Sequence, residues 1–537
     1  MQNPVDPITA EVVACHLLAT AEEMAVTLMR VSFSPNIKER GDCSTAIFDS
    51  EGQVIAQAHR IPIHLGSMIG AVAAVKDRFA EQDIHPGDMF IANDPYNGGG
   101  SHLPDINILA PVFHGGKIVA YVANIAHHAD VGGMVPGSEA AVCRTIFQEG
   151  LRIPPVRIMC EGQINRDVQD LVLLNSRTPE ERRGDLQAQI TTNTVGVHGV
   201  TALFDRYGTQ HANAVVAAFL DFTQRRFVAA IEGFADGVFE AVEYLDGDTP
   251  GEVCPIRLKL TVGDGRLQFD FTGSGGQLNS SRNIPNQALI ATVYTVAKSF
   301  IDPEVPANAG YFRTIDISAP AGSVVAPRPP AAVGCRSISC GVLGDVIAAV
   351  LGQAKPDKAI APCGPHHLLV LSGTDPRNGR FFVDYETVAG GMGARPFAPG
   401  MDAVRVHASG AANLPIEALE HAYPFRVERY SLRQESGGTG QYPGGMGVIR
   451  EYRVMADDVT VSLSGERQNI QASGLKGAGE GACGQFVLNP GTPNERVLLS
   501  AVAEEPLPRG TVLRIETPGG GGYGRVTEAV EPELGNK

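Results

Sequence analysis

The stretch of sequence that decides the fold begins with Asn93-Asp94-Pro95-Tyr96-Asn97-Gly98-Gly99-Gly100-Ser101-His102-Leu103-Pro104-Asp105, and an apolar run follows. The sequence His114-Gly115-Gly116-Lys117 comes next, and then a second apolar run that ends in Asn124-Ile125-Ala126-His127-His128-Ala129-Asp130. Two β-branched, apolar runs joined by Gly-Gly indicate a β-hairpin, because a type I′ turn requires positive φ at both central residues.

This turn predicts which residues face each other across the hairpin. If Gly115 and Gly116 are its central residues, His114 faces Lys117 and the register of both strands follows. The opposite pairs predicted at the open end are Asp105 with Ala126, Pro104 with His127, and Leu103 with His128. Two groups of histidine and aspartate residues are therefore expected to meet at the open end of one hairpin.

Such a group has the composition of a metal site. Neutral imidazole and carboxylate ligands suit a catalytic Zn, Mn or Fe(II) ion. Adjacent side chains on a strand point to opposite faces, so only one of His127 and His128 is expected to bind the ion. His102 and Asp105 supply further ligands, and Asp42 is the candidate for a carboxylate distant in sequence. The alternative is structural: the histidines cap strand ends and Asp105 closes a turn.

The composition limits the class of protein. A chain of 537 residues is expected to form two to four domains at roughly 150 residues each. A net charge of −16 without long runs of one sign, and the absence of Trp, argue against nucleic acid as a partner. No uninterrupted apolar segment of about 18 residues and no signal-peptide pattern is present, so no membrane association is expected.

The nine cysteines lack paired spacing, which favours free thiols in a reducing cytoplasm. A second metal cluster is an alternative use for some of them. Its candidate ligands are Cys335, Cys340, Cys363, His366 and His367.

Periodicity predicts an α+β, multidomain chain. Helices are expected over residues 8–31, 68–79, 165–189, 211–244, 287–300 and 343–354, and hairpins over 44–58 and 257–271. The predicted regions are an N-terminal α+β domain with the metal site (1–245), a mixed central region (246–426) and a β-rich C-terminal region (427–537). His59 and His64 flank Ile61-Pro62-Ile63, and either could approach the site, but a lone histidine beside apolar residues is usually a structural hydrogen-bonding residue.

Three glycine-rich loops occupy residues 437–440, 444–447 and 519–522. None carries the Lys-Ser/Thr of a P-loop, and none joins a strand to a helix as a dinucleotide-binding motif does. They are therefore interpreted as turns or close backbone packing rather than as phosphate-binding loops.

Several motifs together resemble the hydantoinase B/oxoprolinase family, and they extend over essentially the whole chain. They are Asp6-Pro7-Ile8-Thr9-Ala10-Glu11-Val12, residues 34–44 with Glu39-Arg40-Gly41-Asp42, Pro62-Ile63-His64-Leu65-Gly66-Ser67-Met68, the 93–133 block, and residues 437–450 and 517–524. In family members that contain a metal, the matching motifs place the ligands at Asp42, His102, Asp105 and His127, with His128 as the alternative to His127.

The resemblance also implies a partner and a reaction. A hydantoinase A-type subunit would bind ATP and Mg and phosphorylate the amide oxygen of a small cyclic amide. The metal on this chain would activate water for attack on that activated carbon. Asp130 or His128 is the candidate proton acceptor, on proximity alone. A heterotetramer or larger assembly is implied.

Two other functions remain open at this point. One is a subunit of an ATP-dependent ketone carboxylase, which would incorporate bicarbonate carbon into its product. The other is a non-catalytic assembly subunit, in which the histidine and aspartate residues only stabilise the fold.

Overall fold

The structure is a computed structural model that describes residues 6–247, 249 and 251–526. Helices and strands alternate along the chain, and its strands form four sheets. The fold class is α+β, as the sequence predicted.

The N-terminal part is built around a seven-stranded sheet. Its strands are β1 (Cys43–Asp49), β2 (Val54–Gln57), β3 (Met89–Ala92), β4 (Asp105–His114), β5 (Lys117–His127), β6 (Val156–Cys160) and β7 (Gln163–Ile164). Their spatial order is β2-β1-β5-β4-β3-β6-β7. The predicted hairpins β1–β2 and β4–β5 are therefore neighbours within one sheet.

The hairpin β4–β5 has the predicted turn but a different register. Gly115 and Gly116 have φ of 58° and 77°, and residues 114 and 117 are opposite each other. A bulge between Val112 and Phe113 then shifts the pairing by one residue. Asp105 therefore lies opposite His127, and the pairs predicted for the open end are wrong. The pattern of apolar residues does not reveal a bulge, since both strands are buried on both faces.

Helices cover both faces of this sheet. They are α1 (Pro7–Val31), α2 (Pro35–Lys38), α3 (His64–Arg78), α4 (Arg166–Leu174), α5 (Pro179–Tyr207) and α6 (Thr209–Ile231). The side chain of Asp6 caps α1 by accepting the Thr9 N–H over 2.9 Å. Apolar side chains of α1, α5 and α6 share one core cluster with the sheet, and those of α3 share another.

Two helix predictions are wrong in extent. The helix expected over 165–189 is interrupted between α4 and α5. The helix expected over 211–244 ends at Ile231, and Gly237–Asp246 forms strand β8. The apolar pattern of residues 238–242 (Val-Phe-Glu-Ala-Val) is compatible with a helix or a strand. Antiparallel pairing with residues 253–262 stabilises the strand.

The middle of the chain adds a second sheet with its own helices. Strands β8, β9 (Val253–Gly263), β10 (Arg266–Asp270) and β11 (Ile315–Ser318) lie in the order β11-β10-β9-β8. The helices are α7 (Asn286–Ile301), α8 (Ala309–Phe312) and α9 (Arg336–Ala354). The predicted hairpin β9–β10 and helix α7 are confirmed, whereas α9 begins seven residues before its predicted start at 343.

Two further sheets complete the fold, together with α10 (Ile416–Ala422). Their strands are β12 (His367–Asp375), β13 (Arg380–Val388), β14 (Phe425–Leu432), β15 (Val448–Val454), β16 (Val459–Ser464), β17 (Gln485–Leu488), β18 (Arg496–Leu498), β19 (Ala501–Leu507) and β20 (Val512–Glu516). The sheets have the orders β13-β12-β16-β19 and β14-β15-β20-β17-β18. The first of them combines strands from both sides of residue 426.

The three glycine-rich loops pack against one another. A Cβ atom on Gly444 would lie 2.0 Å from the carbonyl oxygen of Gly520, and one on Gly437 would lie 2.1 Å from that of Gly444. No side chain fits at these distances, so the loops serve as close backbone packing, as predicted.

Two helical segments, Ile8–Val31 and Arg336–Ala354, are long and apolar enough to span a membrane by length and composition alone. The apolar window of Arg336–Ala354 is 83% buried within the protein, which is typical of a core helix, and that of Ile8–Val31 is 39% buried.

Candidate metal centre

Adjacent strands bring predicted ligands to one end of the first sheet. Asp105 begins β4 and lies opposite His127, which ends β5. The backbone N–H of His127 donates to the carbonyl oxygen of Asp42 over 3.0 Å, because β1 pairs with β5 from Cys43 onward. The open end of the hairpin therefore gathers Asp42, Asp105 and His127.

His102 reaches the same place from the turn before β4. Its Nε2 lies 3.1 Å from Asp105 Oδ2, and its ring centre lies 5.0 Å from that of His127. One possible ligand atom from each of these three residues lies within 4.8 Å of the others. The exposed fractions are 0% for His102 and Asp105 and 2% for His127. The cluster is therefore well shielded from solvent.

Two residues that were not predicted as ligands complete the cluster. His64 Nε2 lies 3.6 Å from Asp42 Oδ1 and 3.5 Å from Asp105 Oδ1. Glu139 Oε1 lies 2.8 Å from His102 Nδ1 and 3.1 Å from His127 Nε2. His64 lies in a family motif, which was a usable signal, whereas Glu139 belongs to a loop whose position no periodicity predicts.

The segment before α9 fixes the two central residues of the cluster. The guanidinium of Arg336 donates to Asp105 Oδ2 over 2.6 Å, and the carbonyl oxygen of Gly334 lies 3.1 Å from His102 Nδ1. Buried Glu149 in turn accepts the N–H groups of Val333 and Gly334 over 2.9 and 2.6 Å. The centre therefore depends on chain segments more than 200 residues apart.

The contacts of His102 determine which of its nitrogens carries the proton. A carbonyl oxygen can only accept a hydrogen bond, so Nδ1, which faces Gly334 and Glu139, carries the N–H. Nε2 then presents a lone pair to an Asp105 carboxylate oxygen at 3.1 Å. Neither His102 Nε2 nor Asp105 Oδ1 has a hydrogen-bond partner among the described residues, although both are buried. This repulsive arrangement is stable only with a cation or a second proton between the groups.

The pKa of His102 shows how strongly the site attracts positive charge. Burial and the nearby Arg336 lower the pKa, but the carboxylates of Asp105 and Glu139 outweigh them and raise it to about 9. When no other cation is bound, His102 therefore carries a second proton. The residues present fit a divalent metal ion with nitrogen and oxygen ligands.

The carboxylates of Asp105 and Glu139 are held in their charged form. Burial raises the pKa of both Asp105 and Glu139, but neighbouring positive charge has the larger effect. His102, His64 and Arg336 hold the pKa of Asp105 well below its usual value, and contacts with His102 and His127 lower that of Glu139 to about 2.

His127 is held on three sides. The amide of Asn36 is oriented by Arg40, whose Nη1 donates to Asn36 Oδ1 over 2.8 Å, so Asn36 Nδ2 faces His127 Nδ1 at 3.1 Å. The other ring nitrogen faces Glu139, and the ring of Tyr385 stacks on the imidazole with centres 4.2 Å apart. Glu139 Oε1 therefore lies against one ring nitrogen of each histidine and helps to orient both rings.

The structure does not bring the two predicted proton acceptors to the cluster. His128 Nε2 lies 3.0 Å from Gln189 Oε1, and burial together with Arg182 lowers the pKa of His128 to about 4. Asp130 accepts four hydrogen bonds: from the Arg177 side chain and backbone N–H, and from the N–H groups of Gly132 and Gly137. Alternation along β5 directs His128 away from the cluster, and the oxygens of Asp130 are already occupied.

The alternative cysteine and histidine cluster is not assembled. A second group of three possible ligands exists in the described part of the chain, and it consists of Asp345, Cys363 and His407. Asp345 already accepts from Arg467 over 2.8 Å and from His407 over 2.9 Å. A guanidinium ion therefore compensates this carboxylate, and the group is a structural network.

The profile of the hydantoinase B/oxoprolinase family matches residues 6–526. The chain therefore belongs to the hydantoinase B/oxoprolinase family. It is 36% identical over 524 residues to an uncharacterised protein of Methanocaldococcus jannaschii, with 97% of this chain and 91% of that protein covered.

Characterised relatives carry names of enzymes that act on cyclic amides. The caprolactamase subunit beta of Pseudomonas jessenii is 31% identical, with 97% of this chain and 91% of the relative covered. The 5-oxoprolinase of Dictyostelium discoideum is 32% identical over 97% of this chain, which spans only 40% of that longer protein.

Solved structures share the fold. The ATP-dependent caprolactamase from Pseudomonas jessenii superposes with a TM-score of 0.88 at 29% identity, covering 97% of this chain and 92% of that one. A nucleotide-free acetone carboxylase also gives a TM-score of 0.88, at 19% identity, covering 97% of this chain and 76% of that one. At that identity the second similarity shows the fold alone.

Proposed function

We propose that this chain is the metal-bearing subunit of an ATP-dependent hydrolase of cyclic amides of the lactam, hydantoin or oxoproline type. The observation that carries the proposal is the buried group of His102, Asp105 and His127, in which a lone pair of His102 faces an Asp105 oxygen at 3.1 Å. Membership of the family supports the class of reaction.

Asp42, His102, Asp105 and His127 would hold one divalent metal ion, of Zn, Mn or Fe. When bound, such an ion lowers the pKa of a water ligand towards neutrality and makes it a nucleophile. Glu139 accepts the N–H of His102 and orients the imidazole, and Arg336 fixes Asp105. A carboxylate behind a metal-binding histidine typically increases the basicity of that ligand.

Proton removal in this proposal belongs to His64 rather than to His128 or Asp130. The hydroxyl of Ser44 donates to the carbonyl oxygen of Ile61 over 3.3 Å, so it can accept the Nδ1–H of His64, 3.1 Å away. In the neutral tautomer that donates from Nδ1, His64 Nε2 has a lone pair beside Asp42 and Asp105. It is the nitrogen placed to accept a proton from a nucleophile at the centre.

The chain requires a partner in this proposal. An unstrained amide resists attack by water because resonance stabilises it, and phosphorylation of its oxygen creates a leaving group. A hydantoinase A-type subunit would bind ATP and Mg and carry out that step, in a heterotetramer or larger assembly. The name of the subunit beta relative supports a multisubunit enzyme.

We also propose a cytoplasmic location. Five buried cysteines are free thiols: Cys43, Cys143, Cys335, Cys340 and Cys363. Free buried thiols suit a reducing compartment.

A ketone carboxylase is the second candidate, because the fold occurs in acetone carboxylase and a fold does not determine chemistry. A non-catalytic assembly subunit is the third. Loss of activity on metal removal, with the fold retained, would oppose the third.

The test is reconstitution with a hydantoinase A-type subunit. ATP-dependent opening of hydantoin, caprolactam or 5-oxoproline, lost on Asp105→Asn, would support the hydrolase. Incorporation of labelled bicarbonate into a ketone substrate without ring opening would contradict it and support the carboxylase.

A further inference from the structure

A separate cavity borders the candidate metal centre. It has a volume of about 300 Å³, and Ser44 forms part of its wall. Ser44 Oγ lies 3.1 Å from His64 Nδ1, while the opposite nitrogen of the same ring faces Asp42 and Asp105. Through this contact, one imidazole ring links the cavity wall to the carboxylates of the centre.

The described lining of the cavity is basic. It includes His59, Arg60 and Lys298, and none of the described lining residues is acidic. The two cationic side chains of this lining, Arg60 and Lys298, stand out in a chain with a net charge of −16. A cleft lined by one sign of charge concentrates ligands of the opposite sign.

Arg60 has an unused hydrogen-bond donor. Its Nε is buried without a hydrogen-bond partner in the described part of the protein, which is costly for a polar group unless a ligand satisfies it. Among the described residues, the ion pairs within 4.0 Å do not include Arg60.

Lys298 differs from Arg60, although both line the cavity. The ammonium group of Lys298 donates to the carbonyl oxygen of Pro303. Burial lowers the pKa of Lys298, and the charges of Asp302 and Glu304 oppose that effect. The ammonium group of Lys298 is therefore already engaged by a backbone carbonyl oxygen, whereas Arg60 Nε remains without a hydrogen-bond partner among the described residues.

We propose that this cavity binds a phosphate-bearing anion and that Arg60 is the residue that binds it. A guanidinium group suits the bidentate recognition of phosphate oxygens, and the volume lies at the lower end of the range for small-ligand pockets. The inference rests on the proposed function, in which a phosphorylated intermediate arrives and inorganic phosphate leaves. Both sources present the same chemistry to Arg60.

The test is calorimetric titration of the full-length chain with inorganic phosphate and with phenyl phosphate. The variant is Arg60→Gln, and Lys298→Gln is the matched control because it removes a cation from the same cavity whose ammonium group already donates to the Pro303 carbonyl oxygen. We expect Arg60→Gln to weaken binding by about tenfold or more and Lys298→Gln to change it by less than about twofold. Arg60→Lys should retain part of the affinity, which distinguishes a charge contact from a folding defect.

Tighter binding of phenyl phosphate would assign the cavity to the phosphorylated intermediate, and tighter binding of inorganic phosphate would assign it to the released product. No binding of either probe, or equal weakening by both glutamine variants, would overturn the inference. Metal content measured on the same samples reports separately on the proposed function, since it does not depend on Arg60.

Discussion

Replacement of Glu139 by glutamine should weaken metal binding without unfolding the protein. The Glu139 carboxylate lies 2.8 Å from His102 Nδ1 and 3.1 Å from His127 Nε2, and it is fully buried. Loss of a carboxylate behind a metal-binding histidine typically costs about 10- to 100-fold in metal affinity. That range corresponds to about 1.4–2.7 kcal/mol. Because Glu139 contacts two histidines, we expect the upper half of the range.

The assay is a competition titration of Zn against a chromophoric chelator, combined with the visible spectrum of the cobalt-loaded protein. Glu466→Gln is the matched control, because Glu466 is equally buried but contacts the backbone of Asp246 and the side chain of Arg282. The Glu139 variant should show weaker affinity and an altered cobalt spectrum, and the control should show neither. A Glu139→Gln affinity within about threefold of wild type would refute the positioning role of this carboxylate.

Three further predictions concern stability. Arg336→Met leaves the buried Asp105 carboxylate without its guanidinium partner, 2.6 Å away. It should lower the free energy of unfolding of the metal-free protein by about 3–5 kcal/mol. An unchanged midpoint of chemical unfolding would contradict this prediction. The His102 pKa is raised to about 9 in the folded state, above about 6.5 when unfolded. The stabilisation of the metal-free protein by protonated His102 should therefore be complete below about pH 6.5 and lost as the pH rises through about 9. The measurement is the free energy of unfolding of the metal-free wild type and of His102→Ala across this pH range. A difference between them that does not decrease with rising pH would contradict the prediction. Gly444→Ala places a Cβ atom 2.0 Å from a carbonyl oxygen and should lower the free energy of unfolding by about 1–3 kcal/mol or more. The control is Gly276→Ala, whose Cβ atom meets nothing within 4 Å and which should change the free energy of unfolding by less than about 0.5 kcal/mol. Equal thermal midpoints of the two variants would contradict close packing of the glycine loops.

The sequence predicted the hairpin and most of the residues at its open end, because Gly-Gly between two β-branched runs restricts the backbone to few turns. It did not predict the register, since the bulge at Val112 and Phe113 leaves the apolar pattern unchanged. The resulting shift by one residue places Asp105 directly opposite His127.

The surroundings of the site were harder to predict. Arg336 lies 231 residues from Asp105 in sequence, and Glu139 lies in a loop, so neither has a periodic pattern that relates it to the hairpin. His64 belongs to a motif shared with the family, but an isolated histidine beside apolar residues is usually structural. Side chains brought together by tertiary packing can be found only once the sheets and helices are placed.

Metal content by mass spectrometry tests the central claim most directly. It should be measured on protein purified without chelator, as wild type and as His102→Ala and Asp105→Ala, with the fold checked by circular dichroism. We predict about one Zn, Mn or Fe ion per wild-type chain, and loss of that ion in both variants while the fold is retained. A wild-type chain without stoichiometric metal, even after supplementation, would contradict the account and favour the assembly-subunit function.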